Sequence, residues 1–198
     1  MLNKEEIDLV SLFRGYASLH PETIAIEDCT NFLTDPPRMT YGELDECSSI
    51  FAQELKQNGV RPGHAIPLLS QRSPEAIVAI LAILKCEACY VPMDAESWAH
   101  DRTQLTLQQI QPHIIISTNS AQSNFQLTPW KVLEMSSWKA MLDSSFIIKH
   151  QSNIWQAIAP PVLSLDRLAY IIFYLRHNRH AEGGDGVNAI DHGVLQGM

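Results

Sequence analysis

Residues 76–84 read Ala-Ile-Val-Ala-Ile-Leu-Ala-Ile-Leu, nine apolar residues without a break, and Ser73-Pro74-Glu75 stands before them. That triplet supplies a capping hydroxyl, a proline tolerated in the first turn and an acid at the positive end of a helix. The run is far shorter than the roughly 20 residues that span a bilayer. A helix apolar on most sides must therefore lie between a sheet and another layer. Both flanks supply strands for that sheet, Ala65-Ile66-Pro67-Leu68-Leu69 before the helix and Ala88-Cys89-Tyr90-Val91-Pro92 after it. A buried helix joining two apolar strands constrains the chain to a layered α/β fold with parallel strands.

The alternation extends in both directions. Asn3 is placed to cap a helix over 3–19, with Ile7, Val10, Phe13 and Ala17 on one face and His20-Pro21 as its stop. Residues 23–26 read as a short strand and 28–37 as a loop. Thr40 and Glu43 have the capping-box spacing, and the helix they open runs through Leu44, Phe51 and Leu55 to Asn58-Gly59, where glycine suits the left-handed turn. Beyond the central unit a helix is expected over 101–110 and a strand over 114–117. In the Ser-, Asn- and Gln-rich stretch 120–161 the pattern weakens, with a strand over 130–135 and a helical turn over 138–142. Leu168-Ala169-Tyr170-Ile171-Ile172-Phe173 is a strongly apolar strand. From Tyr174 onward the tail is read as neither continuing a strand nor building a helix, and the chain shows no internal repeat.

Composition removes several functions. Lys and Arg total 14 against 22 Asp and Glu, a formal charge of -8 with no dense basic run, which argues against binding nucleic acid. No stretch is long enough to cross a membrane, and the acidic start Met1-Leu2-Asn3-Lys4-Glu5-Glu6 has no apolar region typical of a secretory signal. A cytoplasmic location is the expectation.

Cys29, Cys47, Cys86 and Cys89 are too few and scattered for a disulfide framework, so reduced thiols are expected. Cys86 and Cys89 have C-x-x-C spacing, but no second pair or clustered histidine completes a zinc site. His177 and His180 near His192 also lack a carboxylate or thiol spaced to complete one. Gly183-Gly184-Asp185-Gly186 has no strand-to-helix setting for a phosphate nest. Catalytic, cofactor-binding and metal residues are accordingly expected to be none: there is no Ser-His-Asp arrangement and no convincing pair of catalytic carboxylates.

Three segments in order carry a resemblance. Met39-Thr40-Tyr41-Gly42-Glu43-Leu44, Leu84-Lys85-Cys86-Glu87-Ala88-Cys89-Tyr90-Val91-Pro92-Met93-Asp94 and Leu168-Ala169-Tyr170-Ile171-Ile172-Phe173 resemble the first, second and third core motifs of nonribosomal peptide synthetase adenylation domains. These belong to the AMP-dependent synthetase/ligase, or adenylate-forming, superfamily. The implied fold is the partial N-terminal subdomain of that family, alternating strands and helices around a mostly parallel sheet. Tyr41, Glu43 and the second motif are then scaffold, and Asp101-Arg102 a surface cap and charge. Cys86-Glu87 stands where the family usually has Ala-Gly, which leaves open how that tight helix-to-strand junction packs.

The third motif of the family continues as Thr-Ser-Gly-Thr-Thr-Gly-x-Pro-Lys-Gly, a loop for the ATP phosphates. It needs glycine for close approach, hydroxyl and N–H donors, and a lysine against pyrophosphate. This chain instead reads Tyr174-Leu175-Arg176-His177-Asn178-Arg179-His180-Ala181-Glu182-Gly183-Gly184-Asp185, without Ser, Thr or Lys. A shifted reading frame accounts for the difference. Each shifted codon joins the middle and wobble bases of one residue to the first base of the next, so only the wobble base is free. Codons compatible with residues 174–185 then spell Thr-Ser-Gly-Thr-Thr-Gly-Thr-Pro-Lys-Gly-Val-Met, the family loop in full. Near Ala189-Ile190-Asp191-His192-Gly193-Val194-Leu195 the sequence again resembles the segment just after the loop in the family.

The resemblance divides the chain into a partial adenylation domain over 1–173, an out-of-frame segment over 174–186 and a tail over 187–198. For an intact relative it implies ATP with Mg²⁺, an amino acid, and a carrier-protein phosphopantetheine arm that accepts the activated acyl group. For this chain as written it implies no bound cofactor and no synthetase activity. Two alternatives are a functional enzyme in a longer, correctly framed product and a non-catalytic module docking on a synthetase.

Overall fold

The computed structural model describes residues 8–29, 35–94, 100–118, 129–149, 169–175 and 192–197. Along them run α1 (Leu9–Leu19), β1 (Ile24–Glu27), β2 (Arg38–Thr40), α2 (Tyr41–Gln57), β3 (Ala65–Ser70), α3 (Pro74–Lys85), β4 (Cys89–Asp94), α4 (His100–Ile110), β5 (Ile115–Ser117), β6 (Val132–Glu134), α5 (Trp138–Lys149), β7 (Tyr170–Leu175) and β8 (His192–Gly197).

The main sheet has the order β6-β5-β3-β4-β7-β8, and only its last pair, β7 with β8, is antiparallel. β1 and β2 form a separate antiparallel ribbon. Side-chain alternation along the strands builds two cores. Ile66 and Leu68 of β3 join Ile114 and Ile116 under α2, α3 and α5, in a cluster centred on Phe51, Leu55, Val78 and Ile83. Leu69, Met93 and Ile115 point to the other face and pack with Leu107 of α4. The uninterrupted apolar helix of the sequence is thus α3, buried between the sheet and α2 as its composition requires.

Local signals explain the helix ends. Thr40 Oγ1 accepts from the Glu43 N–H at 3.2 Å while a Glu43 oxygen accepts from the Thr40 N–H at 2.8 Å, a complete capping box. Ser73 Oγ accepts from the Ala76 N–H at 3.2 Å. Gly59 has φ +89°, and a Cβ there would lie 2.7 Å from His113 Nε2, so both backbone and space demand glycine.

Four expectations are corrected. α1 is capped by Asp8, whose carboxylate accepts from the Ser11 N–H at 2.7 Å and from the Ser11 hydroxyl at 3.2 Å, and not by Asn3, which lies outside the described residues. The direct passage expected from the 28–37 loop into α2 is interrupted by β2, a strand three residues long that pairs with β1 and is too short to show a period. The turn at 138–142 is the opening of a longer helix, α5, whose Trp138 and Met141 are buried in the larger core. Finally, the strand expected to stop at Phe173 continues to Leu175, and the tail supplies β8. Glycines and a mixed composition hid β8 in sequence, yet its backbone pairs with β7 from Tyr170↔Gly197 to Leu175↔His192.

Candidate functional site at the carboxyl edge of the sheet

Connections from β3 and β4 diverge. α3 carries the chain from β3 to β4 over one face, and α4 carries it from β4 back past β3 to β5 over the other. A crevice opens beyond the carboxyl ends of two neighbouring parallel strands where their connections part, the usual binding position in open α/β sheets. Here it has a volume of about 960 Å³.

Three segments wall this crevice. Ser70, Gln71, Arg72 and Ser73 lead from β3 into α3, Pro92, Met93 and Asp94 end β4, and Ile26 to Cys29 come from the end of β1 and the residues after it. Its lining combines apolar Ile26, Pro74, Ala76, Ile77 and Met93 with Arg72, the two serines, Glu27, Asp28 and Asp94. Among the described residues no histidine lines it. In sequence Ser73 stood out only as a helix cap and Asp94 only as a motif residue, neither as crevice lining; the available signal was the polar Ser and Asp at the ends of two adjacent apolar strands.

β7 ends at the same edge. Tyr90 of β4 is the parallel register partner of Tyr170 of β7, so the two strands finish side by side at Asp94 and Leu175. Leu175 in turn pairs with His192 at the start of β8. Leu175 and His192, on either side of residues 176–191 in sequence, thus both stand at the carboxyl edge of the sheet. His177, His180 and Gly183 to Gly186 fall outside the described residues. His192 begins β8.

Groups named in the motifs have structural roles where they are described. Tyr41 is half-buried, its ring 4.7 Å from Tyr16 and 6.0 Å from Phe13 between centroids, while its N–H donates to Thr23 O. The Gly42 N–H donates to Pro21 O at 2.9 Å, and a Cβ on Gly42 would come within 3.1 Å of that proline. Asp101 lies in the first turn of α4. Cys86 and Cys89 are directed to different partners, Ala52 O at 3.3 Å and His64 O at 3.6 Å, so their spacing does not form a thiol pair. Burial pushes the Cys86 thiol up to about 11 and that of Cys47 up to about 12, the latter helped by Glu46 and Glu43. Both are inert at neutral pH.

The junction in the second motif packs in order. Glu87 takes φ +59°, its N–H donates to Leu84 O at 2.9 Å and the Ala88 N–H donates to Ile83 O at 3.2 Å, the two bonds of a Schellman motif. Its neighbour Lys85 is a group whose role sequence reasoning missed. Its side chain is 3% exposed, and the three N–H groups of its ammonium are shared among four acceptors, Asp45 Oδ1 at 2.7 Å, Asp45 O at 2.8 Å, Ser48 Oγ at 2.7 Å and Ser49 Oγ at 2.8 Å. Burial lowers the lysine from its ordinary value, against the pull of Asp45. A lone cation at the end of an otherwise apolar helix was the signal.

The family described as AMP-binding enzyme matches residues 13–173. The nonribosomal peptide synthetase hasD of Aspergillus fumigatus is 36% identical over 170 residues, 83% of this chain and 7% of that protein. The chain therefore spans a small part of the length of such relatives. Among solved structures, the Klebsiella oxytoca NpsA N-terminal subdomain in complex with 3-hydroxybenzoyl-AMSN superposes with a TM-score of 0.63 at 23% identity, covering 84% of this chain and 37% of that one. NpsA-ThdA, an artificially fused adenylation–PCP di-domain from the same organism, gives 0.62 at 24%, covering 82% and 27%. At these identities the structures establish the fold. Among the described residues no helix is long and apolar enough to cross a membrane.

Proposed function

Because this chain belongs to the AMP-binding enzyme family through residues 13–173, we propose that it is the N-terminal part of an adenylation domain related to ATP-dependent amino-acid activation in secondary metabolism. We propose further that it is inactive as written. In an intact domain the carboxylate of an amino acid attacks the α-phosphate of ATP, with Mg²⁺ as counter-charge, and a carrier-protein phosphopantetheine thiol then takes the acyl group. Catalysis of that kind consists of positioning and charge neutralisation.

One observation carries the proposal of inactivity. Leu175 and His192 stand paired at the carboxyl edge where a phosphate loop belongs, yet residues 174–198 contain no Ser, Thr or Lys. These residues do not fit a nucleotide triphosphate with its metal, and no reaction step is assigned to them. The division into a partial adenylation domain over 1–173, an out-of-frame segment over 174–186 and a tail over 187–198 belongs to the same reading, as does a cytoplasmic location. Purified chain is expected to give no amino-acid-dependent ATP–pyrophosphate exchange above a no-enzyme control; exchange that saturates with amino acid would refute the proposal.

The second reading is a longer, correctly framed enzyme. It is favoured by residues 174–185 permitting twelve shifted codons that would spell the family loop, starting at the end of β7. Sequencing the transcript across Phe173 to Ile190 decides it. An in-frame loop with an open frame past Met198 establishes the enzyme, and a transcript that encodes the residues as written removes it.

A further inference from the structure

Asn58 is the one asparagine of the chain that is followed by glycine. In an unstructured chain this pair readily loses the side-chain amide, because glycine has no side chain to keep its nitrogen away from the asparagine. The glycine nitrogen gives its proton to solvent and attacks Cγ. An N–Cγ bond forms, the Cγ–Nδ2 bond breaks, and Nδ2 takes up a proton and leaves as ammonia. Water then opens the imide ring at either carbonyl, giving aspartate or its β-linked isomer with a mass gain of about 1 Da.

The fold holds each participant away from this reaction. Asn58 closes α2 with ψ 8°. Ring closure needs the Gly59 nitrogen to eclipse the Asn58 Cβ about the Cα–C bond, and at this ψ it eclipses the Asn58 backbone nitrogen instead. The Gly59 N–H donates to Lys56 O at 3.1 Å and the Val60 N–H to Leu55 O at 3.0 Å, the two bonds of a Schellman ending, so the attacking nitrogen has its proton engaged. The side-chain amide is tied at both ends: Nδ2 donates to Glu54 O at 2.9 Å, and Oδ1 accepts from Lys131 Nζ at 2.8 Å. His113 Nε2 donates to Asn58 O at 3.0 Å and lies so close over Gly59 that a Cβ there would be 2.7 Å away. Lys131 and His113 stand just before β6 and β5, so the clasp joins the end of α2 to the amino edge of the sheet.

Either product would injure this turn. The β-linked isomer adds a backbone methylene between α2 and Val60, which is 4% exposed. Aspartate loses the donor to Glu54 O and sets a negative charge at the negative end of α2.

We propose that Asn58-Gly59 is a deamidation site held closed by the fold, which converts only in chains whose α2–β3 turn has opened. The inference stands apart from the reading of the phosphate loop. Peptide mapping by mass spectrometry follows conversion at Asn58 in the full chain aged in mildly alkaline buffer at physiological temperature. The folded chain is expected to convert at least about a hundredfold more slowly than the guanidinium-unfolded chain. Lys131→Met and His113→Ala change exposed positions, and each is expected to speed conversion about fivefold or more at an unchanged far-ultraviolet circular dichroism spectrum. Lys85→Met weakens the core without touching the clasp and is expected to leave the rate of the folded chain unchanged, because the opening is local. Equal rates in folded and unfolded chain would overturn the proposal. So would unchanged or slower conversion in Lys131→Met, the latter making its ammonium an activator of the carbonyl, or a Lys85→Met chain that converts as fast as Lys131→Met.

Discussion

Lys85 Nζ lies 2.7 Å from Asp45 Oδ1 and joins the end of α3 to the first half of α2 inside the larger core. Asp45 keeps 31% exposure whereas Lys85 keeps 3%, so the cation bears most of the desolvation. Ser48 and Ser49 are needed to satisfy it. Ser48 accepts from the lysine and donates to Leu44 O at 2.6 Å, and Ser49 does the same with Asp45 O at 2.7 Å. Lys85→Met keeps the apolar stem but leaves two buried hydroxyls and a carboxylate without their donor. It is expected to destabilise the fold by about 2–4 kcal/mol. Urea denaturation should show a lower midpoint at unchanged slope, and an unchanged midpoint would contradict the role given to this lysine.

Glu87 is held in the left-handed region at φ +59°, where a side chain costs about 1–2 kcal/mol relative to glycine. Both Schellman hydrogen bonds are backbone bonds and survive substitution. Glu87→Gly is expected to stabilise the protein by about 1 kcal/mol after the added freedom of the unfolded chain is counted. Thermal unfolding followed by circular dichroism checks it, and a lower midpoint would show that Glu87 contributes a contact worth more than the strain.

At Gly59 the effect reverses. Gly59→Ala combines φ +89° with a Cβ 2.7 Å from His113 Nε2, while that nitrogen also lies 3.0 Å from Asn58 O. A loss of about 2–3 kcal/mol is expected. Adding His113→Ala removes the clash but not the backbone strain. The double variant should therefore recover only part of the loss, which a double-mutant cycle measures directly.

Two thiols govern part of the alkaline response. Cys47 rises from 9.0 to about 12 and Cys86 from 9.0 to about 11 because burial disfavours the thiolate. In the unfolded chain both ionise near pH 9 while the folded chain holds its protons, so their contribution is complete below pH 9 and is lost as pH rises toward 11 and 12. Each thiol removes about 1.4 kcal/mol per pH unit within its window. Lys85 acts in the opposite direction, since a lowered lysine releases its proton first in the folded state. The discriminating quantity is the stability slope between pH 9 and 11, measured for the native chain and for Cys47→Ala. The variant is expected to have the shallower decline, and equal slopes would contradict the assignment.

Sequence reasoning succeeded where one local signal decided the structure. Thr40 with Glu43, Ser73 with Pro74, and Asn58 with Gly59 each place a helix end through bonds made within a few residues, and all appear in the fold. It failed where the deciding contact was distant. β2 exists because Met39 and Arg38 find Ile26 and Glu27, and β8 because its backbone meets β7. Neither contact leaves a periodic trace in its own short segment. At the candidate site, motif order predicted the scaffold but not the crevice. Ser70, Arg72 and Asp94 become neighbours only when β3 and β4 align in parallel register from Ala65↔Cys89 to Ser70↔Asp94.

The central claim concerns nucleotide at the carboxyl edge of the sheet. Isothermal titration of the pure 198-residue chain with Mg·ATP tests it most directly. Our account predicts no saturable heat up to millimolar nucleotide, because the connection between Leu175 and His192 offers neither hydroxyl donors nor a lysine. A saturable isotherm with one site per chain would contradict it.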